Sequence, residues 1–172
     1  MTYALLIDDD ADLVERIKST VATYGFEIST ASNWDEGFEL FNANAPDLVI
    51  ADYNLPGSKL GLRLLYEISR LRPSVRLVLF SAYLNETDVA KVLELGLVDR
   101  AFRKVDPVVT AEAVIEEVER AAGRSMDATD WAAFGRSTAE RTAVSEEDLD
   151  KLDSYLSANR LPGNQSEGKG PR

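Results

Sequence analysis

Short apolar runs alternate along this chain with longer stretches whose apolar residues recur at helical spacing. The runs from Tyr3 to Ile7 and from Leu48 to Ala51 are almost wholly apolar, which is typical of strands buried on both faces of a sheet. Leu13, Ile17 and Val21 recur every four residues, as they would along one face of a helix. Because this alternation repeats along the chain, it predicts an α/β fold with five parallel strands and helices on both faces.

Turn and capping residues mark where the predicted elements begin and end. Asp10 is expected to cap the first helix and Gly25 to end it. Asn85 and Asp88 form a capping-box pattern for the fourth helix. The strands are expected at about residues 3–7, 26–30, 46–52, 75–80 and 98–103, and the helices after Asp10, after Ser32 or Asn33, from Gly61 to Leu71, after Asn85 and after Asp106.

Polar side chains stand at the carboxyl ends of four predicted strands. They are Asp8, Asp9, Asp52, Ser81 and Lys104. Each one alone has an ordinary interpretation, as a turn-capping residue or a solvated charge. Together they lie on the rim where parallel sheets bind ligands, which indicates a functional site.

Composition narrows the chemistry of that site. The chain has 172 residues, no cysteine and no histidine, which excludes disulfides, thiolate or imidazole metal ligands, and histidine-based catalysis. Its net charge of −11 argues against direct nucleic-acid binding. No run of apolar residues is long enough to span a membrane, and no signal peptide is evident, so we expect a cytoplasmic protein.

On these residues the sequence resembles a response-regulator receiver domain, over residues 3–122. The resemblance depends on the ordered set: Asp8-Asp9 after the first strand, Asp52 before Tyr-Asn-Leu-Pro-Gly, Ser81-Ala82 after the fourth strand, and Lys104 after the fifth. It implies a flavodoxin-like sheet in the order 2-1-3-4-5. In sheets of this kind, ligands bind beyond the carboxyl ends of the strands, at the point where the strand order reverses. In that order the first and third strands are neighbours, so their aspartates converge.

The resemblance also implies the chemistry. Asp52 would be the phosphoacceptor, and Mg²⁺ would be held by Asp8, Asp9, Asp52 and the backbone carbonyl of Asn54. The Ser81 hydroxyl, the Ala82 backbone N–H and Lys104 would bind the phosphoryl oxygens. A sensor histidine kinase or a phosphotransfer protein would supply the phosphoryl group, because this chain has no histidine. Apart from hydrolysing its own aspartyl phosphate, the protein would not be an enzyme.

Three features depart from the family's usual pattern. Val105 follows Lys104, where family members usually carry proline after a cis bond. Ala101 stands three residues before Lys104, where an aromatic switch residue is usual, so Tyr83 or Phe102 would have to substitute. The turn after Asp52 is also longer than the commonest form. Asn54 and Tyr83 are expected to border the path of the water that attacks the phosphoryl group and to tune its lifetime.

The sequence divides into a receiver domain at 1–123 and a C-terminal extension at 124–172. The extension has no basic patch, so it does not resemble a DNA-binding output domain. A single helical turn with two aromatics is expected at 130–134, an amphipathic helix at about 145–159, and disorder at about 163–172. A short amphipathic helix needs a partner for its apolar stripe, which is the receiver, another protein or a second copy in a homodimer.

Three functions are therefore open. The leading one is a phospho-accepting response regulator that acts on an unknown protein target through protein contacts. The alternative is an interaction module that no longer uses phosphorylation, which the Lys104-Val105 departure favours. The third is a small phosphatase resembling haloacid dehalogenases, which would need Asp8 and Asp10 with Thr or Val at 12, where this chain has Asp12.

Overall fold

A computed structural model describes residues 3–57, 60–123 and 138–158. These residues form five strands and seven helices. The strands are β1 (Ala4–Ile7), β2 (Ile28–Ala31), β3 (Leu48–Asp52), β4 (Arg76–Ser81) and β5 (Arg100–Arg103). The helices are α1 (Ala11–Thr23), α2 (Trp34–Asn44), α3 (Gly61–Leu71), α4 (Glu86–Glu94), α5 (Pro107–Ala121), α6 (Thr138–Thr142) and α7 (Glu146–Ala158).

The strands form one parallel sheet in the order β2-β1-β3-β4-β5, which confirms the expected flavodoxin-like fold. Because β1 pairs with both β2 and β3, the first and third strands are neighbours. Ile7 is paired with Ala51, so Asp8 and Asp52 leave the sheet side by side. None of the helices among the described residues is long and apolar enough to cross a membrane.

Two apolar cores cover the two faces of the sheet. On one face, α1 and α5 pack through residues such as Ile17 and Val114. On the other, α2, α3 and α4 pack through residues such as Phe41, Leu65 and Val92. The strands supply both cores because their residues are buried on both faces, as the continuous apolar runs predict.

Local capping signals predicted the helix starts correctly. Asp10 accepts a hydrogen bond from the Leu13 amide, and Asn33 caps α2 in the same way. The reciprocal capping box between Asn85 and Asp88 is also present. These features could be predicted because each depends on residues three apart in the chain.

Three strands, β2, β3 and β5, begin two residues later than predicted, and for β2 and β5 local hydrogen bonds give the reason. The Phe26 amide is hydrogen-bonded back to the Val21 carbonyl of α1, so β2 starts at Ile28. Before β5, the Asp99 side chain accepts a 2.8 Å hydrogen bond from the Leu77 amide, and Asp99 donates its own amide to Leu77. A side chain therefore takes the place of a strand carbonyl there, and regular pairing starts at Arg100.

The helix expected at about 145–159 is α7, and it packs back on the receiver. Leu149, Leu152 and Leu156 are buried in the same core as α3 and α4. Of the three partners that the sequence leaves open for this apolar stripe, the structure therefore shows the receiver itself. The aromatic turn expected at 130–134 and the disordered end expected at 163–172 lie outside the described residues.

Candidate functional site

The adjacent ends of β1 and β3 bring three aspartates together. One carboxylate oxygen from each of Asp8, Asp9 and Asp52 lies within 4.8 Å of the other two. Asp8 and Asp52 are buried, whereas Asp9 is exposed at the mouth of the cluster. The Asp10 amide donates a 2.9 Å hydrogen bond to Asp8, which orients that carboxylate.

Lys104 joins the two buried carboxylates. Its ammonium nitrogen lies 3.0 Å from an oxygen of Asp8 and 3.1 Å from an oxygen of Asp52. The Lys104 amide donates a 2.9 Å hydrogen bond to the Ser81 carbonyl, which extends the pairing of β4 with β5 to this residue. The ammonium group also lies 4.9 Å from the centre of the Phe80 ring, at cation–π distance.

The change from proline to Val105 leaves Lys104 in the site. The Lys104–Val105 peptide bond is trans, as is every described peptide bond. Val105 is 72% exposed, and α5 starts two residues later with Asp106 as its N-cap. The loop is thus built differently from the usual family form, and the lysine side chain still contacts both aspartates.

Ser81 and Ala82 follow β4 directly. Ser81 is fully buried, and its hydroxyl oxygen accepts a 3.3 Å hydrogen bond from the Tyr83 amide. Ala82 is exposed on the same loop. The serine oxygen therefore accepts a hydrogen bond within its own loop, and accepting this bond does not use its O–H donor.

The longer turn after Asp52 is closed by a close approach of α3. The Asn54 amide donates a 3.3 Å hydrogen bond to Asp52, and Asn54 forms an isolated antiparallel bridge with Leu60. A Cβ atom placed on Gly61 would lie 1.8 Å from the Asp52 carbonyl oxygen. Gly61 is therefore required for this packing, a role that the sequence reading, which took it only as a helix start, did not identify.

The two candidate switch aromatics lie in different surroundings. Tyr83 follows Ser81 by two residues and is 45% exposed. Phe102 packs edge-on against Phe80, with ring centroids 5.7 Å apart, on the side of the sheet covered by α5. Ala101 belongs to the opposite core, so Phe102 does not occupy the space of the family's usual aromatic.

Burial and mutual repulsion shape the acid chemistry of the site. Burial, together with the neighbouring Asp8 carboxylate, raises the pKa of Asp52 to about 7 despite the opposing effect of Lys104. Burial also raises the pKa of Asp8. Burial opposes the charge on Lys104, but the two carboxylates outweigh it and raise the lysine pKa. The site thus holds more buried negative charge than one lysine offsets.

A hard divalent cation fits this donor set. All the side-chain donors are carboxylate oxygens, which Mg²⁺ prefers, and the exposed side of Asp9 leaves room for bound waters. Opposite ligands in a Mg²⁺ octahedron lie roughly 4 Å apart, close to the spread of these oxygens. A cation between them would also relieve the repulsion that raises the pKa values of Asp8 and Asp52.

Comparison with known proteins places this site in a family. A sequence model described as "Response regulator receiver domain" matches residues 4–120. This chain belongs to the response-regulator receiver family. Receiver domains are part of the response regulators of two-component signalling systems; they bind Mg²⁺ at an acidic pocket and interact with histidine kinases or phosphotransfer proteins.

Relatives and solved structures agree with this assignment. The transcriptional regulatory protein AfsQ1 of Streptomyces coelicolor is 30% identical over 171 residues, which cover 95% of this chain and 74% of AfsQ1. GlrR of Escherichia coli is 26% identical over 120 residues, which cover 70% of this chain but only 27% of GlrR. The receiver domain of NtrX from Brucella abortus superposes with a TM-score of 0.60 at 28% identity, covering 71% of this chain and 99% of that domain.

Two contacts between the receiver and the C-terminal extension were not anticipated from the sequence, one beside the site and one at the amino edge of the sheet. The Tyr53 hydroxyl donates a 3.1 Å hydrogen bond to Asp153, a hundred residues later. Arg141 is buried and forms an ion pair with Asp99. Such pairs carry no local pattern, because their partners are distant in sequence.

Proposed function

We propose that this receiver is a phosphorylation switch whose phosphoacceptor is Asp52. The observation that carries the proposal is the Lys104 ammonium group, which is held between the buried carboxylates of Asp8 and Asp52 beside the oxygen of Asp9. A structural ion pair needs one carboxylate for one lysine. A surplus of buried carboxylates around a single lysine suits a site that gathers a cation and a phosphoryl group.

In the proposed step, a carboxylate oxygen of Asp52 attacks the phosphorus of the donor. A phosphorus–oxygen bond forms, and the bond from phosphorus to the donor's leaving atom breaks, with its electron pair departing on that atom. For a phosphohistidine donor the leaving atom is an imidazole nitrogen. Lys104 would turn from its two carboxylates to a phosphoryl oxygen, and the Ser81 O–H would donate there while the serine oxygen accepts from the Tyr83 amide.

Asp8, Asp9, Asp52 and the Asn54 backbone carbonyl would hold Mg²⁺. When bound, the cation offsets negative charge on the transferring phosphoryl oxygens. Asp9 is the exposed member of the set, so it would meet the incoming cation first. The Ala82 amide would supply a further donor to the phosphoryl group.

We also propose that Asn54 and Tyr83 set how long the phosphoryl group persists. Both follow a strand end by two residues, and Tyr83 is exposed on the loop after Ser81. Phe102 contacts Phe80, whose ring lies under Lys104, so any part it plays in switching would pass through that ring.

The donor would be a histidine kinase or phosphotransfer protein, because this chain has no histidine to carry a phosphoryl group. The output would be a protein contact, with another protein or a second copy of the chain. The net charge of −11 supports a protein target over a nucleic acid. We infer a cytoplasmic location, where such donors act.

Both alternative functions have less support. A module without phosphorylation was favoured by the loss of proline after Lys104, yet the lysine contacts both aspartates. A dehalogenase-like phosphatase would need Asp10 as a catalytic group, but Asp10 caps α1 through the Leu13 amide. The proposed activity is therefore limited to accepting a phosphoryl group and hydrolysing it.

Incubation of the purified chain with Mg²⁺ and a small phosphodonor such as acetyl phosphate tests the proposal, with intact mass as the readout. Wild type should gain one phosphoryl group, and chelation of the cation should prevent the gain. Asp9→Asn is a matched variant, since Asp9 is exposed and its substitution should weaken the cation site with little effect on the fold. Retention of bound Mg²⁺ without any gain in mass would instead identify a phosphorylation-independent module.

A further inference from the structure

The C-terminal segment, here residues 138–158, lies across the face formed by α3 and α4. Its helix α6 contacts α3, and α7 contacts α4. The apolar stripe of α7 is buried in the core of that face through Leu149, Leu152 and Leu156. The groove between α3 and α4 is thus a binding surface for an amphipathic helix, and α7 is the helix it holds.

One end of this segment is firmly anchored. Arg141 of α6 is buried, and its guanidinium donates hydrogen bonds to the carbonyls of Pro73, Val75 and Leu97. The same group forms an ion pair with the buried Asp99. These acceptors precede β4 and β5, so the anchor lies at the amino edge of the sheet, away from the phosphoacceptor.

The other end of the segment contacts the residue next to the phosphoacceptor. Tyr53 is fully buried, and its hydroxyl donates a 3.1 Å hydrogen bond to Asp153 of α7. Its backbone is held as well, since its amide donates to the Phe80 carbonyl and its carbonyl accepts from the Gly61 amide. A displacement of Asp52 would therefore reach α7 through the Tyr53 side chain.

The charges on α7 indicate how phosphorylation of Asp52 would act on this contact. α7 begins five residues after Arg141, and Asp153 in its second half accepts a hydrogen bond from Tyr53 beside the phosphoacceptor. Its last turn has no basic residue, and Asp150 and Asp153 both lie on the side that faces α3 and Tyr53. Phosphorylation adds nearly two negative charges at Asp52, which opposes this arrangement.

We propose that phosphorylation of Asp52 loosens α7 from the groove between α3 and α4, with Tyr53 as the connecting residue and Arg141 as the fixed anchor. This inference rests on the proposed function. It assigns the output to the groove between α3 and α4, on the face of the sheet opposite α5. The uncovered groove and the stripe of α7 would then both be available for contact.

Hydrogen–deuterium exchange of the full chain tests this inference, with and without phosphorylation, alongside intact mass. The exchange rate of α7 amides should rise at least about fivefold in the phosphorylated chain, the lower end of typical coupling between sites. Amides of α5, on the opposite face, should not change. Asp52→Asn treated in the same way should show no rise in α7.

Two tyrosine variants test whether the Tyr53 hydroxyl connects Asp52 to α7 or whether any change near α7 has the same effect. Tyr53→Phe keeps the buried ring and removes the donor to Asp153, so α7 should exchange faster before phosphorylation and respond little to it. Tyr155→Phe is the matched control on α7 itself, where the ring packs against Lys91, and its response should equal that of wild type. A wild-type response in Tyr53→Phe would overturn Tyr53 as the connection.

The outcomes also separate this inference from the proposed function. A phosphoryl gain with unchanged or slower exchange in α7 overturns the inference and leaves phosphorylation at Asp52 standing. Absence of any phosphoryl gain overturns both.

Discussion

The ammonium group of Lys104 lies 3.1 Å from a carboxylate oxygen of Asp52, although the two residues follow different strands that are not adjacent in the sheet. The same group reaches Asp8, so one lysine balances two buried carboxylates. One positive charge does not offset two buried negative charges, as the raised pKa of Asp52 indicates. The stability of the protein should therefore depend on Lys104, on pH and on a bound cation.

Replacing Lys104 with Met should destabilise the metal-free protein in a pH-dependent way. At pH 8 both carboxylates lose their counter-charge, and the free energy of unfolding should fall by about 1–3 kcal/mol, below the usual cost of breaking a fully buried pair because Asp52 can take up a proton. At pH 5 the loss should be smaller. Urea denaturation at the two pH values measures this, and an equal loss at both would contradict it.

Stability of the metal-free wild type should fall as the pH rises. The pKa of Asp52 is raised from 3.8 to about 7 in the folded protein, so its contribution to stability is fully present below about pH 4 and is lost as the pH rises through 7. Asp52→Asn should flatten this part of the profile. Because Mg²⁺ competes with the proton, its affinity should increase from pH 6 to pH 8, which calorimetric titration would measure.

Gly61→Ala should disturb the phosphoacceptor loop. The added methyl group would lie 1.8 Å from the Asp52 carbonyl oxygen, so α3 or the loop must move. Overpacking of this kind typically costs 1–3 kcal/mol or more, so we expect about 3 kcal/mol here. Gly25→Ala is the control, since its Cβ would meet nothing and only the positive φ of 80° is strained. Equal denaturation midpoints for the two variants would show that α3 does not approach Asp52 so closely.

Two charged residues of the C-terminal segment, Arg141 and Asp150, should contribute very different amounts to the free energy of unfolding. Arg141→Met takes from the buried Asp99 the nearer of its two arginine partners and leaves Arg76 at 3.7 Å. It also removes donors from three carbonyls, two of them in buried hydrogen bonds, so we expect a loss of about 3–5 kcal/mol. Asp150→Asn breaks the 2.5 Å pair with Arg63, in which the Asp150 side chain is 64% exposed, and should cost at most about 1 kcal/mol. Thermal unfolding of both variants tests the contrast.

Much of the fold could be predicted because its signals are local. Asp10, Asn85 and Asp88 cap helices through residues three apart, and apolar runs identify strands buried on both faces. The resemblance supplied the strand order and hence the meeting of Asp8 with Asp52. Placement of Lys104 followed from β5, even though the residue after it departs from the family.

The unpredicted parts depend on contacts between distant residues. Tyr53 stands directly after an apolar strand, and nothing in its neighbourhood indicates a partner at Asp153. Arg141 is one of several charges in a polar stretch, yet it is buried. The sequence showed that α7 needs a partner for its stripe, but the choice of the groove between α3 and α4 depends on these two contacts.

The residue that carries the phosphoryl group decides whether Asp52 is the phosphoacceptor. The chain would be treated with Mg²⁺ and acetyl phosphate, digested, and analysed by peptide mass spectrometry beside Asp52→Asn, which keeps the size of the side chain but replaces the nucleophilic carboxylate by a neutral amide. We expect one phosphoryl group, on the wild-type peptide that contains Asp52, and none in the variant. Phosphoryl groups on another residue, or an equal amount in Asp52→Asn, would contradict it.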